Sequence, residues 1–158
     1  LDLGTGSGCI AIEISKIFES AAIFGSDICE KALKVAKKNN NQSKNKVNFI
    51  KSNWFSDIEG QFDLIVSNPP YIPEGTKLEA STLFEPKVAL FSEETGLKDL
   101  KKIISEAINY LKINGALILE HGMGQSSELS SYMKKIGYKN IGILNDLKDI
   151  NRFVYGYK

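Results

Sequence analysis

Arginine is almost missing from this chain: Arg152 is the only one in 158 residues. Phosphate recognition leans on the planar arginine fork, so its scarcity argues against a dedicated phosphate-reading surface. Charge of one sign is also lacking. The formal net charge is +1, which implies no strong attraction to nucleic acid or to a membrane. Cysteine occurs twice, at Cys9 and Cys29, in no paired motif. Both read as reduced thiols in an intracellular, cytoplasmic setting, with packing as their role. The single histidine, His121, has no nearby Cys or Ser that would make it a ligand or a catalytic base, so it reads as structural, and no metal site is expected. No run is long and apolar enough to span a membrane. The chain opens at Leu1-Asp2-Leu3 without a Met. Central strands run about 5–6 residues, so this first strand is expected to begin upstream and to be truncated here.

What remains is ordinary globular material, 42% hydrophobic and 25% charged, enough for one domain over residues 1–158 with a sizeable core. Strand and helix patterns alternate along it. Apolar runs at Leu1–Leu3, Ala21–Asp27, Val47–Ile50, Phe62–Val66, Ala116–Glu120, Tyr138–Leu144 and Phe153–Tyr157 predict seven strands. Helical spacing predicts helices over Cys9–Phe18, with its apolar positions at 10, 14, 17 and 18, over Cys29–Asn40, Gly96–Leu111 and Gln125–Ile136. Asn114-Gly115 reads as a turn. The fold class is α/β: a doubly wound, mostly parallel, Rossmann-like sheet of seven strands. The last two strands follow each other closely enough to form an antiparallel pair at one edge.

Three ligand signals fall at predicted strand ends, where open parallel sheets bind ligands. The first is the glycine loop Gly4-Thr5-Gly6-Ser7-Gly8 between strand and helix. Glycines let a ligand approach the backbone closely, and the helix N-terminus adds free N–H groups suited to a carboxylate or phosphate. Gly6 to Ala11 also fits the G-x-G-x-x-A dinucleotide pattern, so a nicotinamide or flavin enzyme stays open here. The second is Asp27, spaced to accept from ribose hydroxyls or, alternatively, to cap the next helix. Trp54, after the third strand, can pack on a cofactor base or belong to the core. The third is Ser67-Asn68-Pro69-Pro70-Tyr71. Pro69 pushes Asn68 towards an extended backbone, and neither proline carries an N–H, so the strand ends in a stiff corner. Its amide side chain, carbonyl oxygens and aromatic face suit a planar substrate bearing an NH2 group; a plain turn is the other reading. The lysines at 31, 34, 37 and 38 form a basic helix face, read as solvated surface. Residues 72–95 show no clean period and read as a lid beside the corner.

Asp2 to Gly8 resembles the first motif of class I S-adenosylmethionine-dependent methyltransferases, and Asn68-Pro69-Pro70-Tyr71 the motif of those that methylate planar nitrogens. Ser52-Asn53-Trp54-Phe55, Phe84-Glu85-Pro86 with Ala89-Leu90, Gly96-Leu97, Glu120-His121-Gly122 with Gln125, and Asp146 with Arg152 follow in order. Together they resemble the HemK-like release factor glutamine methyltransferases over nearly the whole chain. The resemblance implies that Gly4, Thr5, Gly6, Ser7 and Gly8 hold the methionine end of S-adenosylmethionine, that Asp27 takes its ribose and that Trp54 lies near its adenine, with Asn68 also contacting cofactor. It implies that Asn68, Pro69, Pro70 and Tyr71 bind the substrate glutamine, with Asn68, Pro69 and Tyr71 catalytic. The partner it implies is a peptide chain release factor, methylated on the Gly-Gly-Gln glutamine. Asn53 stands where the family usually has Asp and Asp149 where a small residue is common, and the resemblance implies an N-terminal helical domain that residues 1–158 are expected not to include. Three rivals carry other implications. A nucleic-acid adenine or guanine N-methyltransferase needs a base-flipping surface, and a near-neutral short chain speaks against it. A dinucleotide oxidoreductase would use the glycine loop but gives no job to the Asn68 corner. A non-catalytic cofactor-binding fragment is the third.

Overall fold

The computed structural model describes residues 1–41, 46–73, 75–76 and 90–158. In chain order its elements are β1 (Asp2–Leu3), α1 (Cys9–Ile17), β2 (Phe24–Asp27), α2 (Glu30–Asn40), β3 (Asn48–Lys51), β4 (Phe62–Ser67), β5 (Ile72–Pro73), β6 (Phe91–Ser92), α3 (Glu93–Gly96), α4 (Lys98–Tyr110), β7 (Leu111–Glu120), α5 (Ser126–Ile136), β8 (Lys139–Asn145) and β9 (Asn151–Tyr157). Seven strands form one sheet in the order β3-β2-β1-β4-β7-β9-β8, while β5 and β6 pair parallel in a sheet of their own. From β3 to β7 all neighbours run parallel; β9 is antiparallel to both β7 and β8. The expected antiparallel pair therefore stands at one edge, with β9 as the reversed strand and β8 outside it.

Strand order turns back on itself at β1, which pairs with β2 on one side and β4 on the other. The register aligns Leu3 with Ser26 and with Ser67, so the residues that follow β1, β2 and β4 emerge at one end of the sheet. The Ser67 hydroxyl donates to the Leu3 carbonyl at 2.7 Å and fastens two of these strand ends together. Such a reversal of strand order is where doubly wound sheets open a crevice.

The larger apolar cluster joins Leu3, Ile65, Leu117, Leu119 and Val154 of the sheet to Leu100, Ile103, Ile104 and Ala107 of α4 and to Leu129 and Met133 of α5. Leu100, Ile103, Ile104 and Ala107 are thus the buried face of the helix before β7. In α1 the outcome is reversed at three of the four expected positions, and Ile14 packs against the smaller cluster of Ala11, Ile12, Ile23 and Val47. Ile10, Ile17 and Phe18 are 39%, 72% and 54% exposed, and the buried residues are Ala11, Ile12 and Ser15. The inward face, Ala11 and Ile12, packs on Ile23 and Val47. Gly8 at the start of α1 has φ +81, and a Cβ there would sit 3.0 Å from Ala36 and 3.1 Å from Phe49. An apolar period detects neither a glycine nor an alanine at such contacts. Asn114 has the positive φ of a turn residue, +64, yet β7 runs through it: Leu111 pairs with Phe62 and Ala116 with Leu64, so the intervening residues bulge. Cys9 and Cys29 are both exposed, which overturns the packing role, because each stands at the first turn of a helix on its open side. His121 is fully buried. Its Nδ1 lies 2.8 Å from the Gly122 carbonyl, and burial is the main cause holding its pKa below the ordinary value.

Among the described residues no helix is long and apolar enough to cross a membrane, and no His, Cys, Asp and Glu cluster could hold a metal ion. Phe84-Glu85-Pro86 and Ala89, part of the polar connection after α2, and most of the expected lid lie outside the described residues.

Candidate active site

The three strand ends open into one cavity of about 590 Å³, within the ordinary range for a small-molecule site. Gly4, Gly6 and Ser7 line it from the loop after β1. Ser26, Asp27, Ile28 and Cys29 line it from the end of β2, Asn53 and Trp54 from the turn after β3, and Asn68, Pro69 and Pro70 from the corner after β4. The structure thus brings the glycine loop, Asp27, Trp54 and the corner to one space.

Local hydrogen bonds explain the loop's shape. Gly4 and Gly6 have φ of +69 and +55, angles that glycine adopts without cost. A Cβ on Gly6 would meet no protein atom within 4 Å; the loop's open side faces vacant space that a ligand can enter. Thr5 is turned the other way. It is buried, and its hydroxyl donates to Asp2 Oδ2 at 2.6 Å. The same oxygen accepts from Ala11 N at 3.2 Å, tying β1 to the first turn of α1. Among the described residues Asp2 Oδ1 has no hydrogen-bond partner. Burial pushes the Asp2 carboxyl up to about 6, against the lowering effect of the Thr5 and Ala11 bonds. Of the five loop residues, then, Thr5 and Gly8 shape the loop and stay out of the lining.

Asp27 does two jobs at once. Its Oδ2 accepts from Gly6 N at 2.9 Å and its Oδ1 from Cys29 N at 2.7 Å. Asp27 thus braces the turn that leads into α2 and does not cap the helix itself, whose N-cap is Cys29 with no side-chain cap bond. A carboxylate offers about four lone-pair sites, so two remain for hydroxyl donors in the cavity. Trp54 sits in a strained turn with φ +52. Buried Ser52 holds that turn by donating to Trp54 O at 2.7 Å and accepting from Asp57 N at 3.0 Å. The indole packs on the main apolar cluster and comes within 3.5 Å of where a Gly4 Cβ would be. Trp54 thus packs on the core and lines the cavity with one side chain.

At the corner Asn68 is exposed while Pro69 is buried. Tyr71 does not line the cavity; its hydroxyl donates to Glu120 Oε1 at 3.1 Å. The sequence reading missed Ala32 and Val35 of α2 and Asp99 of α4, all of which line the cavity. The three-residue spacing of Ala32 and Val35 puts them on one helix face, a signal that existed. Asp99 stands two positions after Gly96-Leu97, but nothing in its own residue type or spacing pointed to the cavity.

Comparison with known proteins places this geometry. A family model described as "Methyltransferase small domain" matches residues 1–85. A "Bifunctional methyltransferase" of Rickettsia typhi is 42% identical over 160 residues, covering 98% of this chain and 31% of that protein. A "Release factor glutamine methyltransferase" of Buchnera aphidicola is 38% identical over 161 residues, covering 100% of this chain and 58% of that protein. The chain thus spans less than two thirds of the length of either relative. Among solved structures, a methyltransferase from Pyrococcus furiosus superposes with a TM-score of 0.74 at 20% identity, over 100% of this chain and 74% of the other.

Proposed function

The chain belongs to the methyltransferase small domain family, and we propose that residues 1–158 form an S-adenosylmethionine-dependent protein-glutamine N-methyltransferase domain. Its substrate is the side-chain amide of glutamine in the Gly-Gly-Gln motif of a peptide chain release factor, which places its action in the cytoplasm at translation termination. One observation carries the reading. The glycine loop with Asp27 and the Asn68-Pro69-Pro70 corner line the same cavity, so a cofactor site and a planar-amide site share one space. The release factor glutamine methyltransferase matched over the full chain supports the choice of amide.

The residues present suit the cofactor. The vacant space over Gly6 admits a close-lying ligand, the spare lone pairs of Asp27 suit ribose hydroxyls, and the α1 N-terminus suits a carboxylate. Gly4, Gly6 and Ser7 would hold the methionine end, Asp27 the ribose, and Trp54 with the apolar wall of Ile28, Ala32 and Val35 the base. When bound, S-adenosylmethionine supplies an electrophilic methyl group on a sulfonium sulfur.

The chain's own part is to make an amide nitrogen a usable nucleophile. That nitrogen is weak because its lone pair is delocalised into the carbonyl. Asn68 Oδ1 and the Pro69 carbonyl each accept one of its N–H groups, which localises the pair and aims it. The prolines stiffen the corner's backbone, so the Pro69 carbonyl and the Cα of Asn68 are held before substrate arrives, and positioning of this kind supplies much of a transfer rate. No strong base is needed before transfer; the surplus proton leaves the nitrogen afterwards. Tyr71, bonded to Glu120, anchors the corner from behind. Incubation of the chain with labelled S-adenosylmethionine and, separately, a release factor, DNA and RNA tests the reading. Label on the Gly-Gly-Gln glutamine is expected; label only on nucleic acid would refute the assignment.

A further inference from the structure

Gln125 stands just before α5, half-buried, and spends its whole carboxamide on three backbone groups. Its Oε1 accepts from Gly122 N at 2.8 Å. Its Nε2 donates to the Tyr71 carbonyl at 3.1 Å and to the Thr95 carbonyl at 3.2 Å. With two carbonyls at one end and an N–H at the other, only one orientation of the amide satisfies all three. The three partners belong to three different parts of the chain. Tyr71 ends the corner and precedes β5, Thr95 lies in α3 just after β6, and Gly122 follows β7. Gln125 thus ties together the two described feet of the 72–95 segment and pins both to the end of β7.

The surroundings are shaped for this contact. Gly96 has φ +82, and a Cβ there would fall 2.1 Å from the Tyr71 carbonyl oxygen and 2.8 Å from Gln125 Nε2. On the other side, a Cβ on Gly122 would come to 3.1 Å from Gln125 Oε1 and 3.3 Å from Tyr71 Cδ2. Two glycines leave the room that the carboxamide and Tyr71 occupy. Tyr71 is held a second time, through its hydroxyl on Glu120. Between Tyr71 and Asn68 stand two prolines whose φ angles are locked. A shift of the Tyr71 carbonyl therefore passes to the Pro69 carbonyl and to Asn68 with little loss.

We propose that Gln125 is a positioning residue for the amide-binding corner: by clamping the Tyr71 and Thr95 carbonyls and the Gly122 N–H, it fixes where Asn68 and the Pro69 carbonyl stand in the cavity. This rests on the methyl-transfer reading for its consequence, while the clamp itself is independent of it. Gln125 lies outside the cavity lining, so its loss acts on the corner and leaves the cofactor residues in place.

The test uses Gln125→Glu, of the same shape but unable to donate when ionised, and Gln125→Met, of similar length and unable to bond at all, each checked for folding by near-ultraviolet circular dichroism. At saturating cofactor, single-turnover transfer to a release factor should fall by about 10²-fold, the scale of a misplacement near 1 Å. Binding of S-adenosylhomocysteine by calorimetry should stay within threefold. The Gln125→Glu loss should deepen as pH rises, since the protonated acid donates one hydrogen bond and the carboxylate none; Gln125→Met should show no such dependence. Hydrogen exchange at the Gly122 amide, measured without cofactor, should quicken in Gln125→Met. Transfer within threefold of the parent, or cofactor affinity falling as far as the rate, overturns the proposal. If the parent itself transfers no methyl group, the functional reading falls, and unchanged or quickened Gly122 exchange still decides for or against the clamp.

Discussion

Replacing Asp2 by Asn should stabilise this protein at neutral pH and leave it nearly unchanged in mild acid. Asp2 is 1% exposed, and its carboxyl is pushed from 3.8 up to about 6, chiefly by burial. The folded state therefore binds the proton more tightly than the unfolded chain. The contribution to stability is complete below the unfolded pKa and is lost as pH rises through about 6. At about 1.36 kcal/mol per pKa unit, the ionised form costs the folded state about 3 kcal/mol at neutral pH. Asn resembles the protonated acid. It keeps an oxygen for the Thr5 hydroxyl and the Ala11 N–H, and it places its N–H2 where the unpartnered Oδ1 now lies. The protonated acid would leave a donor unpaired at that same point, so the two should be near equals in acid. Urea denaturation of parent and Asp2→Asn should differ by about 3 kcal/mol at pH ~7.5 and by less than ~0.5 kcal/mol at pH ~4. For a chain of this length the neutral-pH gain corresponds to a rise in Tm of about 6–12 °C. Equal destabilisation at both pH values would refute the reasoning, because it would mean that the ionised carboxylate is a net stabiliser of the glycine loop.

The other predictions concern the site and the core. Asp27→Ala, which removes the bonds to Gly6 N and Cys29 N, should weaken S-adenosylmethionine binding at least tenfold, or ~1.4 kcal/mol; calorimetry that finds NAD bound more tightly than S-adenosylmethionine would sink the cofactor assignment. Asn68→Ala should cut single-turnover transfer to a release factor by about 10²–10³-fold, the usual scale for one preorganised polar contact, with most of the cofactor affinity kept; a rate within threefold of the parent would mean the corner is only structural. Ile104→Ala empties a fully buried position of the main cluster and should cost about 2–5 kcal/mol in urea denaturation, with little loss if the site can collapse.

The alternation of strands and helices, the glycine loop and the Asn68 corner are local features, so the sequence by itself determined the fold class, the seven strands and the end of the sheet where ligand residues gather. Each rests on neighbours within a few positions: an apolar run, a proline after Asn68, glycines after a strand. Tertiary structure decided what depends on contacts far apart in the chain. It turned α1 so that Ala11, Ile12 and Ser15 face inward while Ile17 and Phe18 face out, because the inward face meets Ile23 and Val47 from elsewhere in the chain. It gave Thr5 to Asp2 and split Asp27 between the loop and the start of α2, divisions that a residue's type leaves open. It added Asp99 to the cavity from the first turn of α4. And it joined Gln125 to the carbonyl of Tyr71, 54 positions away, since a carboxamide's partners are fixed only once the sheet has brought the ends of β4 and β7 side by side.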